Sequence, residues 1–293
     1  MFEGVYPPIP TPFVDGEVAH DKLADNLARW NQTDLAGYVV LGSNGEAVYL
    51  SEAERVAVIS TARQAIAGDK LLIAGTGAES TRATIERTRI AADAGADAAL
   101  VLTPCYYKGQ MTTEALRRHY FALADASPIP ILLYNMPRFT GLDLSAQTVL
   151  ELAQHPNVVG IKDSGGNVAK LGAIIGAAPD HFAVLAGSGG FFYPALVLGA
   201  VGGVLALANV APDQCCRIYR AAREGQHGQA QELQLRMIPL NAAVTSRFGI
   251  AGLKAALDLL GYYGGEPRSP LSPPGPDQIE EIRHILEEAG LLA

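Results

Sequence analysis

The stretch PILLYNMPRFTGLDLSAQTVLELAQHPNVVGIKDSGG, residues 130–166, holds two short apolar runs, Pro130–Tyr134 and Val158–Lys162, separated by a longer segment. Each run is rich in Ile, Leu or Val and meets its first polar side chain at its last position, which fits strands of a parallel sheet buried on both faces. Two such strands need a long crossover between them, so the stretch reads as one strand–helix–strand unit. Working outward, the same alternation gives six further candidate strands: Val5–Ile9, Gly37–Leu41, Leu71–Ala74, Ala98–Leu102, Ala183–Ala186 and Gly203–Leu207. Helical patterns such as Ser51–Ala67 and Ser80–Ala94 lie between them. The first opens Ser51-Glu52-Ala53-Glu54, a capping box in which Ser51 and Glu54 satisfy free N–H groups reciprocally. Eight units in about 210 residues suit a closed (β/α)8 TIM barrel, with a doubly wound open sheet as the alternative. After Asn209 the strand pattern stops, and helical patterns follow over about Pro212–Arg223, His227–Leu240, Ile250–Leu260 and Asp277–Leu291. The expected organisation is an α/β chain with a catalytic barrel over residues 1–210 and a C-terminal helical extension, 211–293, packed on it.

Composition narrows the function. Of the 293 residues, 49% are hydrophobic and 18% charged, enough apolar surface for a large core and no case for disorder. A net charge of −8 lacks the basic balance of a nucleic-acid binder. The apolar runs are too short to span a bilayer, and MFEGVYPPIPTPF has neither the basic nor the apolar region of a secretory signal. Three cysteines, two of them adjacent (Cys215, Cys216), form no disulfide framework and read as reduced thiols of a cytoplasmic protein.

In barrels of this kind chemistry sits at the C-terminal ends of the strands. Of six lysines, Lys22, Lys170 and Lys254 fall in helical segments, Lys70 precedes its strand, and Lys108 lies in a loop past strand four. Only Lys162 ends a strand. Desolvation there favours the neutral amine, the nucleophile of carbonyl chemistry; the alternative is a lysine reaching a salt bridge at the barrel mouth. Tyr134 ends the adjacent strand, about 4.8 Å away, where a phenol can shuttle the protons of Schiff-base chemistry. Read alone, it is a core tyrosine with a satisfied hydroxyl. The loop Gly42-Ser43-Asn44-Gly45-Glu46 offers hydroxyl, amide and backbone donors for a small carboxylate, or is an ordinary glycine turn. Leu185–Gly190 has the same ambiguity and leaves a phosphate site open. The six histidines supply no metal set: His155 and His181 precede strands, while His20, His119, His227 and His284 sit in or beside helices, where solvated side chains are expected. Asp163 should point away from Lys162's face and serve structure. Cys105 has no paired histidine and reads as inert.

Together GSNGE (Gly42–Glu46), TPCYYKG (Thr103–Gly109), LYNMP (Leu133–Pro137), GIKDSGG (Gly160–Gly166) and LAGSGG (Leu185–Gly190) resemble the dihydrodipicolinate synthase and N-acetylneuraminate lyase family of class I aldolases. The resemblance spans nearly the whole chain in the right order. Within the family TPCYYKG, ALANV (Ala206–Val210), NAAVTSRFGI (Asn241–Ile250) and GYYGG (Gly261–Gly265) look most like the 4-hydroxy-2-oxoglutarate aldolases. The resemblance implies a pyruvate Schiff base on Lys162, proton transfer by Tyr134, and a pyruvate carboxylate held by Ser43 and Asn44. It further implies substrate contacts from Ser164 and Gly187, and a relay completed by Tyr106 of an adjoining subunit. Implied partners are pyruvate and a short aldehyde or 4-hydroxy-2-oxo acid, in a homotetramer built as a dimer of dimers, with no metal or organic cofactor, nucleic acid or membrane.

Two departures bear on the substrate. The synthases carry two threonines where this chain has Ser43 and Asn44. They also carry an arginine for the aldehyde's carboxylate two residues after the proline of the LYNMP-like motif, where this chain has Phe139, with Arg138 one residue early. The expected reaction is therefore cleavage of 4-hydroxy-2-oxoglutarate-type acids to pyruvate and an aldehyde such as glyoxylate. The rivals are 4-hydroxy-tetrahydrodipicolinate synthesis from pyruvate and aspartate semialdehyde, and a non-catalytic keto-acid sensor or scaffold.

Overall fold

Eight of the chain's apolar runs pair side by side in the computed structural model, which describes residues 2–292. In chain order they are β1 (Gly4–Tyr6), β2 (Gly37–Val40), β3 (Leu71–Gly75), β4 (Ala98–Leu102), β5 (Ile131–Asn135), β6 (Val158–Asp163), β7 (Ala183–Ala186) and β8 (Gly202–Val204). From β2 to β8 each strand is parallel to the next, and β8 is parallel to β1. The seam between β1 and β2 is closed by Ala36 N–H to Val5 O (3.0 Å), Val39 N–H to Pro7 O (3.0 Å) and Ile9 N–H to Val39 O (2.9 Å). The sheet therefore closes on itself as a (β/α)8 barrel, and the open doubly wound alternative is excluded.

Two strands are shorter than the sequence pattern suggests. Pro7 and Pro8 have no N–H to give the ladder, so β1 stops at Tyr6 although Pro7 still accepts across the seam. Past β8, Leu205 N–H reaches Tyr6 O (2.9 Å), and Ala206–Asn209 then winds into a 3-10 turn. Asn209 pins that turn to the start of the chain, donating to Pro8 O (3.1 Å) and accepting from Trp30 Nε1 (3.0 Å).

Side chains alternate across each strand, as the period of two requires. Tyr6, Val39, Ile73, Leu100, Leu132 and Leu185 fill the barrel interior. Their neighbours Val5, Val40, Leu72, Val101, Leu133 and Ile161 face the surrounding helices. The Ser51–Glu54 capping box forms as expected, with Ser51 N–H to Glu54 Oε2 at 2.8 Å and Glu54 N–H to Ser51 Oγ at 3.3 Å. Helices follow every strand, two of them after β5 (Pro137–Thr140 and Ala146–Leu152), and the last, Pro212–Arg223, packs against β1. Beyond it His227–Ala242, a π-helical turn at Ala243–Arg247, Gly249–Leu259 and Pro276–Glu288 make the helical extension. Among the described residues no helix is long and apolar enough to cross a membrane.

Candidate active site

β5 and β6 bring the two principal site residues together by register. Tyr134 pairs with Lys162, and Asn135 with Asp163. Leu132 and Gly160 are register partners two residues earlier, so Tyr134 and Lys162 both project into the barrel at its C-terminal mouth. Both are buried, Lys162 at 3% and Tyr134 at 4% exposure. The Lys162 Nζ lies 4.1 Å from the centroid of the Tyr134 ring, over its face, and the Tyr134 hydroxyl is 3.3 Å from Ser43 Oγ. An amine, a phenol and an alcohol therefore line up from β6 through β5 to the loop after β2. That arrangement can attack a carbonyl and move protons beside it.

The loop carrying Ser43 is bent at both ends by left-handed residues other than glycine, Leu41 (φ 57°) and Glu46 (φ 52°). A Cβ at Gly75 would collide with the Leu41 carbonyl oxygen, so the neighbouring strand must end in glycine for the loop to turn there. Gly45 N–H to Gly42 O (3.1 Å), Glu46 N–H to Ser43 O (3.2 Å) and Thr11 Oγ1 to Gly45 O (2.7 Å) fix the turn. The Asn44 amide nitrogen is shielded from solvent and has no protein partner among the described residues, which leaves a donor for a ligand.

Ser164 and Gly187 meet on the opposite side of Lys162. Ser164 Oγ donates to Gly187 O (3.3 Å), and Gly187 N–H donates to Asp163 O (2.7 Å). Tyr106 is not brought to the group within one chain. It stands 76% exposed in the loop after β4, edge-on to Tyr107 at 5.0 Å, and its N–H donates to Glu79 Oε2 (2.8 Å). Arg138 turns to the rim, where its guanidinium donates to Ser246 O (3.1 Å) and Thr245 O (3.5 Å) of the π-helical turn, while Phe139 is exposed.

Some residues that support the site were missed by the sequence reading. The Asp163 carboxylate faces outward, as alternation requires, into a buried network with Asn135 Nδ2 (2.8 Å), Lys170 Nζ (2.8 Å) and Gly165 N–H (2.8 Å). Asn135 and Lys170 also reach Asp143, at 2.7 and 2.5 Å. Lys170, on the helix after β6, is thus a half-buried structural cation held by two carboxylates. Asn135 and Asp163 each follow a site residue by one position, a signal that both share the opposite face. His119 departs from the expected solvated side chain: it is buried, 6% exposed, with Thr81 Oγ1 2.9 Å from Nδ1. Burial pushes its pKa down to about 4. Burial likewise pushes the Cys216 thiol up to about 12, and burial together with Glu79 raises Cys105.

A closed parallel barrel with a buried lysine and a phenol at its mouth can host carbonyl chemistry of the aldolase kind. Comparison with known proteins supplies the family: residues 1–289 match the dihydrodipicolinate synthetase family. The chain belongs to that family and shares its lyase class. It is 38% identical to a probable mitochondrial 4-hydroxy-2-oxoglutarate aldolase of Emericella nidulans, over 99% of this chain and 95% of that protein. It is also 38% identical to a 4-hydroxy-tetrahydrodipicolinate synthase of Methanothrix thermoacetophila, over 98% of this chain and 96% of that one. Among solved structures, a chloride-inhibited dihydrodipicolinate synthase of Acinetobacter baumannii in complex with pyruvate superposes with a TM-score of 0.95 at 35% identity, each chain covered completely.

Proposed function

We propose that the chain is a pyruvate-dependent Schiff-base aldolase that cleaves 4-hydroxy-2-oxoglutarate-type acids to pyruvate and a short aldehyde acid such as glyoxylate. The observation that carries this reading is the buried Lys162 amine set over the Tyr134 ring, with Ser43 on the phenol's oxygen. The neutral amine adds to the C2 carbonyl, and loss of water gives a protonated imine, an electron sink. Tyr134 takes the proton of the 4-hydroxyl as its own passes to Ser43, and Ser43 in turn gives up its hydroxyl proton along the relay that a neighbouring protomer's Tyr106 completes, from which the proton later returns to C3. The C3–C4 electron pair moves toward the imine, releasing the aldehyde and leaving an enamine. Protonation at C3 and hydrolysis return pyruvate and free Lys162. Ser43 and Asn44 hold the substrate's C1 carboxylate, and Ser164 and Gly187 line the other side. Because the imine does the electronic work, neither a metal nor an organic cofactor enters the scheme.

In this reading residues 1–210 carry the chemistry and 211–293 brace it, in a cytoplasmic homotetramer whose exposed Tyr106 completes a neighbouring protomer's relay. A second reading, 4-hydroxy-tetrahydrodipicolinate synthesis, is favoured by relatives of that name such as the Methanothrix protein. Against it stand Phe139 at the position where the synthases' arginine is expected and an Arg138 engaged with the rim.

The test is borohydride reduction with pyruvate, followed by peptide mass spectrometry. A pyruvyl adduct on Lys162, absent in Lys162→Ala, is the expected result. Folded protein that forms no adduct would overturn the Schiff-base reading and favour a non-catalytic keto-acid binder. Assay with glyoxylate and with aspartate semialdehyde then separates the two reactions.

A further inference from the structure

The loop that offers Ser43 and Asn44 is strained at both ends, and left-handed non-glycine residues persist only where their surroundings over-determine them. At Leu41 the restraint comes from the adjoining strand, through Gly75. At Glu46 it comes from nearly the far end of the chain. The Glu46 side chain is 1% exposed and paired at 2.6 Å with Lys254 Nζ, itself 1% exposed, on helix Gly249–Leu259. Its other oxygen accepts the Arg268 N–H at 2.8 Å. Lys254 is fixed in turn by donating to Glu266 O (3.0 Å), and the Arg268 guanidinium is clamped by Glu54 at 2.5 and 3.1 Å. Both cations lie 4.4 Å from the Phe13 ring centroid, which keeps water from the pair.

A buried ion pair is weak evidence for stability, because desolvating both charges offsets much of their attraction. What it does supply is direction. With its carboxylate anchored on one side of the loop, Glu46 is held left-handed, and the two donors are set over the mouth beside Tyr134. We infer that Glu46 and Lys254 are positioning residues, through which the C-terminal helices preset the loop that receives the substrate's carboxylate. The inference rests on the assignment of Ser43 and Asn44 as the carboxylate's donors.

The experiment compares the unaltered protein with Glu46→Gln, and with the double variant Glu46→Gln/Lys254→Met, which removes both charges so that neither is left buried alone. In both, the KM for pyruvate should rise about tenfold, and kcat at saturation should fall by a smaller factor, because Ser43 on the same loop also serves the relay. Borohydride at saturating pyruvate should still label Lys162 fully. KM is read on the folded fraction alone, so partial loss of fold does not imitate the effect. An unchanged KM in either variant, or a loss confined to kcat, would overturn the inference. Should the double variant fail to fold, Glu46→Gln, nearly isosteric and still able to accept from Arg268, decides it. Failure of the unaltered protein to form an adduct would instead count against the Schiff-base reading itself.

Discussion

Asn135 and Asp163 are hydrogen-bonded to each other at 2.8 Å on the outside of the barrel, one residue beyond Tyr134 and Lys162. Because side chains alternate, a tie on the outer face fixes how the preceding two residues face one another within. Asn135→Ala leaves Asp163 its contacts with Lys170 and Gly165, so the fold should survive, less stable by about 1–3 kcal/mol. Misplacing reacting groups by even 1 Å costs about a hundredfold, so kcat should fall on the order of 10–100-fold with little change in KM. Steady-state kinetics beside a thermal melt checks this, and an unaltered kcat would show the tie to be structural only.

Substrate choice should respond to residue 139. Phe139→Arg places a guanidinium on an exposed position of the short helix Pro137–Thr140, next to an Arg138 already bonded to Ser246 O. Condensation with aspartate semialdehyde should rise relative to glyoxylate, measured as the ratio of kcat/KM values. A ratio unmoved by the substitution would mean that the aldehyde's carboxylate is read elsewhere.

Stability should fall on mild acidification because of His119. Burial lowers its pKa from 6.5 to about 4, against a weaker opposing pull from Glu79. Between those values the unfolded chain binds the proton and the folded one does not, so stability is full above pH 6.5 and drains as pH falls toward 4. The loss approaches about 3 kcal/mol at most. Glu54, held near 2 by Arg268, loses its own contribution only as pH falls below 4.5. Denaturant unfolding of the native chain and of His119→Gln between pH 6.5 and 5 should therefore diverge, the variant showing the flatter slope.

Gly187→Ala tests how closely β6 and β7 approach at the mouth. The added Cβ would collide with Ser164 Oγ and the Asp163 carbonyl, and backbone cannot give way as a side-chain tip can. Destabilisation of about 1–3 kcal/mol is expected. Lys162 labelling should also slow, because the colliding carbonyl belongs to the residue directly after it. A variant that melts and labels like the native chain would contradict the packing.

How much of this was legible in the sequence follows from how local the signals are. β4 and β7 fall on the expected residues, and β2, β3, β5 and β6 lie within one residue at either end, since buried parallel strands need continuous apolar runs. The exceptions at β1 and β8 trace to Pro7 and Pro8 and to the turn that Asn209 locks. Lys162 and Tyr134 were readable because each is the polar residue that ends an apolar run. The partners of Lys170 and Lys254 were not: Asp163 is near Lys170 in the chain, but Glu46 is joined to Lys254 only through the folded barrel. His119 was misread because a helix pattern does not say which face another helix will cover. Nothing local in the motif around Tyr106 says what its exposed side chain meets.

The seam of the barrel carries a consequence for how the chain is made. Gly4 lies opposite Gly202, so the first strand to emerge in synthesis waits for the last before its second flank is covered. Until then the growing sheet has two raw edges, on β1 and β7, each able to capture a strand from another molecule. Closing so long a loop comes late, whereas β5 and β6, which carry the lysine and the phenol, are neighbours in sequence. Pulse-labelled hydrogen exchange during refolding should find the Gly4 and Leu205 amides, which bond across to Val201 and Tyr6, protected after those of β5 and β6. The nascent protein would then hold Lys162 and Tyr134 in place before it has shut the wall behind them, with aggregation the hazard of the interval.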